Sequence, residues 1–279
     1  MRAMLLVIDV GNTNTSLGVY DGERLVKHWR LTTARERTVD EYGLHARNLL
    51  GLAGIDHARI EGIAISSVVP QLNYTLRRMA EEYLGLTPLF LDHATDTGLE
   101  ILYDPPSDVG ADRIADAVAA RAKYGAPCII VDFGTATTFD AVDAAGRYLG
   151  GVIAPGINIS SDALFARAAR LPRVEIKRPA RVVGTSTVGA IQSGLFHGYV
   201  SLVDGILRRM MEELSEGTAG GGEGDEGAGA ARRVRVVATG GLAPLIAAGS
   251  ELIEAVDDTL MLDGLRMIYE RAGRARAGG

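Results

Sequence analysis

Two short segments of the chain contain the residue types that bind phosphate groups. Residues 9–15 read Asp-Val-Gly-Asn-Thr-Asn-Thr, and residues 132–138 read Asp-Phe-Gly-Thr-Ala-Thr-Thr. Glycine lets backbone amides approach phosphate oxygens, threonine and asparagine add donors, and an aspartate at a strand end can hold the hydrated Mg²⁺ that accompanies ATP phosphates. Both segments lack the lysine of a P-loop and the glycine spacing of a dinucleotide-binding turn. Taken singly, each is also explained as a polar hairpin turn.

The two segments lie at equivalent places in an internal repeat. When residues 5–25 are aligned with residues 128–148, identical residues coincide at Asp9 and Asp132, Gly11 and Gly134, Thr15 and Thr138, Val19 and Val142, and Arg24 and Arg147. In each copy an apolar strand leads through Asp-x-Gly and a threonine-rich turn into a second strand, which predicts a duplication and two lobes. Two such hairpins facing each other across a cleft would hold a polyphosphate from both sides.

Three further motifs suit a nucleotide enzyme, but each also has an ordinary structural explanation. Gly-Ala-Asp-Arg at residues 110–113 opens a predicted helix, where an aspartate can simply favour the helix dipole. Val-Gly-Thr-Ser-Thr at residues 183–187 can be no more than a helix N-cap. Ala-Thr-Gly-Gly-Leu at residues 238–242 follows a predicted strand, where paired glycines can admit a base or ribose or merely allow tight packing.

Apolar runs alternate with helical patterns along the chain, which predicts an α/β architecture. We place the domain boundary near Ala115, with an N-terminal lobe at residues 1–114 and a C-terminal lobe at residues 115–279. Residues 216–231 are rich in glycine and acidic residues and are expected to form a solvated loop, and residues 271–279 a tail. Strands are expected at residues 5–8, 16–20, 24–26, 60–69 and 234–238, and helices at residues 40–52, 73–84 and 195–214.

Composition argues against several functional classes. The net charge of −6 provides no general surface for neutralising nucleic-acid phosphates. The single cysteine, Cys128, lies in an apolar run and is expected to be a buried strand residue in a reducing compartment. Residues 5–8 are too short an apolar stretch for a signal peptide, and no run reaches the roughly 20 residues of a membrane span. We therefore expect a cytoplasmic protein that binds neither nucleic acid nor membrane.

The order and spacing of these motifs resemble those of type III pantothenate kinases. The resemblance spans nearly the whole chain, although residues 216–231 depart from the compact form of the family, away from every motif. It rests on residues 9–15, on Gly-Ala-Asp-Arg at 110–113, on Val-Asp-Phe-Gly-Thr-Ala-Thr-Thr at 131–138, on Gly-Gly-Val-Ile-Ala-Pro-Gly at 150–156 and on Gly-Thr-Ser-Thr at 184–187.

This resemblance implies a fold, an activity and an assembly. The fold would be that of the acetate and sugar kinase, heat-shock and actin superfamily, an actin-like ATPase fold with two duplicated ribonuclease-H-like lobes and a nucleotide cleft between them. The activity would be ATP-dependent phosphorylation of the primary hydroxyl of pantothenate to 4′-phosphopantothenate, the first step of coenzyme A biosynthesis. Members of the family are homodimers, with the pantothenate pocket near the subunit interface.

The resemblance also implies roles for individual residues. Asp112 would be the general base, Asp9 would lie near Mg²⁺, and Asp132 would hold a monovalent cation, K⁺ or NH₄⁺. Pantothenate would be contacted by Tyr103, Gly110, Ala111, Asp112, Arg113 and Thr187. ATP would be bound by Asp9, Val10, Gly11, Asn12, Thr13, Asn14, Thr15, Ser16 and Thr135.

Two expectations concern the surroundings of these residues. The helix N-terminus at Asp112 is expected to lower the pKa of that carboxyl, which keeps it ionised and makes it a weaker base. Residues 157–171 carry an apolar stripe at helical spacing that suits either ordinary core or contact with a second subunit, formed by Leu164, Phe165, Ala168 and Leu171.

Two alternative functions fit part of the pattern. Another kinase of the same superfamily, acting on acetate, a sugar or glycerol, would share the phosphate loops, although Gly-Ala-Asp-Arg favours pantothenate. A non-catalytic, nucleotide-binding accessory protein of transcription would need no general base, whereas this sequence keeps Asp112, Asp132 and both loops. Turnover with pantothenate and ATP, with and without K⁺, separates these alternatives.

Overall fold

A computed structural model describes residues 3–168, 170–219 and 233–277 of the chain. The described residues form two compact units, one within Met1–Leu99, Tyr103–Ala119 and Thr259–Gly279, the other within Glu100–Leu102 and Ala120–Asp258. The predicted boundary at residues 114 and 115 differs from this division chiefly at the C-terminal end, which packs with the first unit. The predicted boundary gave each lobe one continuous stretch of chain. It therefore could not assign the C-terminal segment to the first unit.

The first unit is built on a five-stranded sheet in the order β3-β2-β1-β4-β5. Its antiparallel hairpins join β1 to β2 and β2 to β3, while β4 runs parallel to β1 and β5 parallel to β4. The strands are β1 (Met4–Val10), β2 (Asn14–Asp21), β3 (Arg24–Thr32), β4 (Ile60–Ser67) and β5 (Leu89–Phe90).

The second unit repeats this sheet strand for strand. Its order, β8-β7-β6-β9-β10, contains the same two antiparallel pairs followed by the same two parallel pairs. The repeat predicted from residues 5–25 and 128–148 is therefore confirmed, because β1 and β2 correspond to β6 and β7. The strands are β6 (Cys128–Phe133), β7 (Ala136–Val142), β8 (Tyr148–Pro155), β9 (Arg235–Thr239) and β10 (Ala255–Val256).

Helices complete both units. A capping box between Thr38 and Glu41 starts α1, and the left-handed Gly85 ends α2, as expected for helix termini. The helices are α1 (Val39–Leu52), α2 (Pro70–Leu84), α3 (Ala111–Tyr124), α4 (Ile157–Arg167), α5 (Thr187–Ala219), α6 (Ala243–Ala247) and α7 (Leu260–Ala277), with 3₁₀ turns at His57–Arg59 and Pro106–Asp108.

Each sheet is buried by helices, which explains the apolar runs of its central strands. In the first unit, Leu6 and Ile8 of β1 belong to one core with residues of α1 and α2, whereas α7 packs on β1, β2 and β4. In the second unit, Ile129 and Val131 of β6 join Phe196 of α5 in a second core. Cys128 is fully buried in β6, which confirms the prediction of a buried strand residue.

Three predicted boundaries are wrong. The helix expected at residues 195–214 begins at Thr187 and extends to Ala219, so residues 216–219 are helical rather than loop; the rest of that predicted loop lies outside the described residues. The expected tail at residues 271–279 is helical to Ala277, because α7 continues through alanine and arginine, both strong helix formers. The apolar stripe expected at residues 157–171 is only partly helical, because α4 ends at Arg167.

Within the described ranges, no helix has both the length and the apolar character needed to cross a membrane.

Candidate active site

The first phosphate loop is the tight connection between β1 and β2. Asp9 lies opposite Ser16 at the end of this strand pair. The amide of Gly11 donates to the carbonyl oxygen of Asn14 at 2.9 Å. A Cβ at position 11 would approach that oxygen to 3.1 Å, so glycine suits a turn that closes this tightly.

Thr33, just beyond β3, holds this loop by three hydrogen bonds. Its hydroxyl donates to the carbonyl oxygen of Gly11 at 2.7 Å, and its amide donates to that of Thr13 at 2.9 Å. The hydroxyls of Thr15 and Thr33 lie 2.9 Å apart, and Thr15 is the donor because the Thr33 hydrogen is already used on Gly11. The loop geometry is therefore fixed from a segment outside the motif.

Sequence reasoning did not select Thr33 or the nearby Arg35. A guanidinium nitrogen of Arg35, Nη2, donates to Oδ1 of Asn12 at 2.9 Å. The available signal was strand register: β2 pairs with β3 so that Asn14 faces Thr32, which brings the residues after Thr32 beside the loop. That register cannot be fixed from apolar patterning alone.

Asp112 lies in the first turn of α3 with its carboxylate turned back over the start of the helix. The amide of Arg113 donates to Oδ1 of Asp112 at 2.9 Å. Gly110 leaves room for this arrangement, because a Cβ at position 110 would lie 2.3 Å from the same oxygen. The motif Gly-Ala-Asp-Arg thus orients a carboxylate as well as starting a helix.

Burial raises the pKa of Asp112 above its ordinary value, against the opposing effects of the Arg113 amide and guanidinium. The prediction of a lowered pKa is therefore wrong. Removing the ionised carboxylate from water is the larger effect here, and the hydrogen bond at the helix start compensates it only in part. The consequence is a more basic carboxylate than an exposed aspartate.

The residues predicted to contact pantothenate fall into two groups. Ala111 is the first residue of α3, between Gly110 and Asp112, and Tyr103 is half-buried in the irregular segment before that helix. These residues belong to the first unit together with the first phosphate loop. Thr187 belongs to the second unit, as do Asp132 and Thr135.

The second phosphate loop joins β6 to β7, and glycine backbones enclose the carboxylate of Asp132. The residue opposite Asp132 is Thr138. A Cβ at Gly240, whose φ is +90°, would lie 2.5 Å from Oδ1 of Asp132, and one at Gly134 would lie 3.1 Å from Oδ2. The Gly-Gly after β9 therefore brings backbone against this loop, which supports the packing explanation of that motif.

The tip of the second loop packs against the end of β8. A Cβ at Gly156 would lie only 2.2 Å from the carbonyl oxygen of Thr135, while the Thr135 side chain itself is exposed. Tyr199 of α5 donates to the carbonyl oxygen of Pro155 at 3.1 Å and is also hydrogen-bonded to the hydroxyl of the buried Thr137. Tyr199 thereby links β7, which follows Thr135, to the end of β8, a contact that no sequence motif indicated.

The hydroxyl-rich turn at residues 183–187 caps α5. The side-chain oxygen of Ser186 accepts a hydrogen bond from the amide of Gly189 at 3.1 Å, so the predicted N-cap is confirmed. A Cβ at Gly184 would lie 2.4 Å from the amide nitrogen of Ala190, which explains the glycine. Thr187 is exposed as the first residue of the helix.

Across the described residues, no three His, Cys, Asp or Glu side chains gather into a metal cluster. Single carboxylates nevertheless fit the ions implied by the motifs. Mg²⁺ commonly keeps several waters and is held by one or two carboxylates and substrate phosphates, which suits the half-buried Asp9 at the end of β1. At Asp132, the close glycine backbones leave space beside the carboxylate that a side chain would fill.

The two sheets of equivalent strand order, each with an Asp-x-Gly hairpin on its central strand, define the duplicated, ribonuclease-H-like architecture of actin-like ATPases. The family model of type III pantothenate kinase matches residues 5–209. The chain belongs to the type III pantothenate kinase family.

Full-length relatives agree with this membership. A type III pantothenate kinase of Koribacter versatilis (strain Ellin345) is 56% identical over 278 residues, with 96% of each chain covered. The type III pantothenate kinase of Halalkalibacterium halodurans is 50% identical over 268 residues, covering 96% of this chain and 99% of the relative.

A solved structure supports the fold independently. The crystal structure of a conserved putative Baf family transcriptional activator from Campylobacter jejuni aligns with a TM-score of 0.58 and 19% identity, covering 96% of this chain and 99% of that one. At this identity the likeness shows the fold alone.

Proposed function

We propose that this chain transfers the γ-phosphoryl group of ATP to the primary hydroxyl of pantothenate, producing 4′-phosphopantothenate and ADP in the first step of coenzyme A biosynthesis. The observation that carries the proposal is the 56% identity to a type III pantothenate kinase across 96% of the chain. The oriented carboxylate of Asp112 supports a catalytic rather than a purely regulatory protein.

Asp112 acts as the general base in this proposal. As the hydroxyl oxygen bonds to the γ-phosphorus, the bond from that phosphorus to the β,γ-bridging oxygen breaks, the hydroxyl proton passes to the Asp112 carboxylate, and ADP leaves. Burial raises the pKa of Asp112, which increases its ability to accept that proton. Alignment and charge neutralisation supply most of the remaining barrier lowering.

The other predicted residues divide between the two substrates. We assign pantothenate binding to Tyr103, Gly110, Ala111, Arg113 and Thr187. We assign ATP binding to Asp9, Val10, Gly11, Asn12, Thr13, Asn14, Thr15, Ser16 and Thr135. The fixed geometry of the first loop, held through Thr33, supports a preorganised set of backbone and side-chain donors for phosphate oxygens.

Two ions complete the proposal. When bound, Mg²⁺ would neutralise charge on the ATP phosphates, with Asp9 holding its hydration shell. A carboxylate at Asp132 near a polyphosphate would be repelled by it, and a monovalent cation, K⁺ or NH₄⁺, held by Asp132 would relieve this repulsion. We further propose that the enzyme is a cytoplasmic homodimer.

A substrate panel tests the proposed activity. ADP release should require ATP, Mg²⁺ and pantothenate, and should be absent with acetate, glycerol or glucose. The rate should be higher in K⁺ or NH₄⁺ than in Na⁺ at equal ionic strength. Turnover of another acceptor in preference to pantothenate would refute the substrate assignment, whereas equal rates in Na⁺ and K⁺ would refute only the monovalent site.

A further inference from the structure

The segment that connects β3 to α1 lies against the first phosphate loop. Its first residue, Thr33, makes hydrogen bonds to Gly11, Thr13 and Thr15. Two residues later, Nη2 of Arg35 donates to the side-chain oxygen of Asn12 at 2.9 Å. A guanidinium is therefore attached to the loop although it is absent from the loop motif.

The backbone that carries Arg35 is anchored on both sides. The hydroxyl of the buried Tyr42 donates to the carbonyl oxygen of Ala34 at 2.9 Å. At the far end, the amide of Thr38 donates to Glu41 at 2.8 Å within the capping box of α1. These bonds fix the position of Arg35 without any help from its own side chain, which is exposed.

The positive charge of Arg35 suits it to binding phosphate groups. Residues 9–16 contain no lysine or arginine, and their only charged side chain is the carboxylate of Asp9. A bound triphosphate carries several negative charges, and phosphoryl transfer is promoted by cations fixed where that charge lies. Arginine has five N–H donors in a rigid fork, so the contact with Asn12 leaves donors for phosphate oxygens.

We propose that Arg35 is a catalytic residue that contacts the polyphosphate of bound ATP, with Asn12 orienting its guanidinium. This inference rests on the proposed function, because it takes residues 9–16 as the ATP phosphate loop. It adds to the motif a cation supplied by the segment between β3 and α1. The fork favours arginine over lysine, since lysine offers a point charge without bidentate geometry.

Binding measurements with Arg35→Met and Arg35→Lys test the inference. A matched control is Arg24→Met, at the opposite end of β3, where the exposed arginine lies 3.8 Å from Asp21. Titration calorimetry in Mg²⁺ should show ATP affinity about 10- to 100-fold weaker in Arg35→Met, the range for a lost charged hydrogen bond. AMP affinity and the midpoint of thermal unfolding should be unchanged, and Arg35→Lys should be intermediate.

Steady-state kinetics separates this role from a structural one. Arg35→Met should lower kcat/KM for ATP while leaving the KM for pantothenate unchanged, and Arg24→Met should match the wild type. Unchanged ATP affinity in Arg35→Met, or equal losses for AMP and ATP, would overturn the inference. If the wild type binds ATP but does not phosphorylate pantothenate, the proposed substrate fails while the ATP comparison still decides the role of Arg35.

Discussion

Two opposing effects, burial and a backbone hydrogen bond, determine the pKa of Asp112. The amide of Arg113 stabilises the ionised carboxylate, whereas burial destabilises it and raises its pKa. Asp112→Asn keeps the shape of the side chain but removes the proton acceptor. We expect kcat to fall by about 10²- to 10⁴-fold, the range for losing a general base, while calorimetric ATP affinity is retained. Near-normal turnover in the folded variant would exclude the role.

The same substitution should increase stability at neutral pH. The pKa of Asp112 in the folded chain lies above the unperturbed 3.8, so the native state binds this proton more tightly than the unfolded state. The free energy of unfolding therefore falls as pH rises between the two pKa values, and the penalty is complete above them. Urea unfolding should show Asp112→Asn more stable than wild type at pH 7, with the difference shrinking on acidification. A less stable variant at pH 7 would show that the ionised Asp112 does not destabilise the folded chain.

Sequence reasoning selects residues that belong to a recognisable motif. Asp112 and Asp132 were predicted from such motifs, whereas the burial of Cys128 was predicted from its apolar run. Thr33 and Arg35 were missed because their contacts with the loop depend on the pairing of β2 with β3. The direction of the Asp112 pKa was missed because burial is a property of the surrounding fold, which the helix-start motif does not encode.

In the first unit, α7 closely approaches the helix that carries Asp112. A Cβ at Gly264 of α7 would lie 2.0 Å from the carbonyl oxygen of Ala115, three residues beyond Asp112 in α3. On the same helix, a Cβ at Gly273 would meet nothing within 4 Å. The two glycines therefore form a matched pair.

Alanine should have opposite effects at these positions. Gly273→Ala should stabilise by up to about 1 kcal/mol, since alanine favours a helix. Gly264→Ala should destabilise by about 1–3 kcal/mol, the range for overpacking, and should lower kcat because α3 must shift. Urea unfolding and steady-state kinetics provide both measurements. Equal stabilisation by the two substitutions would show that the crossing does not constrain α3.

Helices and strands with a regular spacing of apolar residues were predictable from the sequence. Those that depend on tertiary packing were not. The hairpins β1–β2 and β6–β7 follow apolar runs broken by Asp-x-Gly, and the capping box of α1 is local. The sequence offered an N-cap at residues 183–187, but the helix itself was predicted only from residue 195, because residues 187–194 mix glycine, serine and threonine with few apolar positions. The long core contacts of that helix, through Phe196 and Val203, compensate for its weak local propensity.

The duplication of the two units was visible in the sequence because both copies keep the same loop residues. The return of residues 259–277 to the first unit was not visible. Leu262 of α7 would contact a Cβ added at Gly18 of β2, a pairing across more than two hundred residues that no local pattern encodes. Domain limits drawn by chain order therefore missed the helix that covers one face of the first sheet.

The proposed homodimer has a candidate surface in the second unit. Ile153 of β8 and Ile159 and Leu164 of α4 are exposed by 61%, 43% and 39%. Exposed apolar side chains on these two consecutive elements are where we place the proposed contact with a second copy. Phe165 makes a poorer probe, because it lines a cavity of about 430 Å³ with Ile176 and Leu242, and a charge there would disturb the fold as well.

Leu164→Glu tests this surface with little risk to the core. In a two-fold symmetric contact each copy presents the same patch to the other, so one added carboxylate is felt twice. Sedimentation should show a dimeric wild type and a monomeric Leu164→Glu, with pantothenate turnover lost and ATP binding kept if the pantothenate pocket lies near the interface. Leu52→Glu, at the end of α1 with 86% exposure, is the matched control and should stay dimeric and active. A dimeric Leu164→Glu would exclude this surface, and a fully active monomer would exclude a pocket that depends on the second copy.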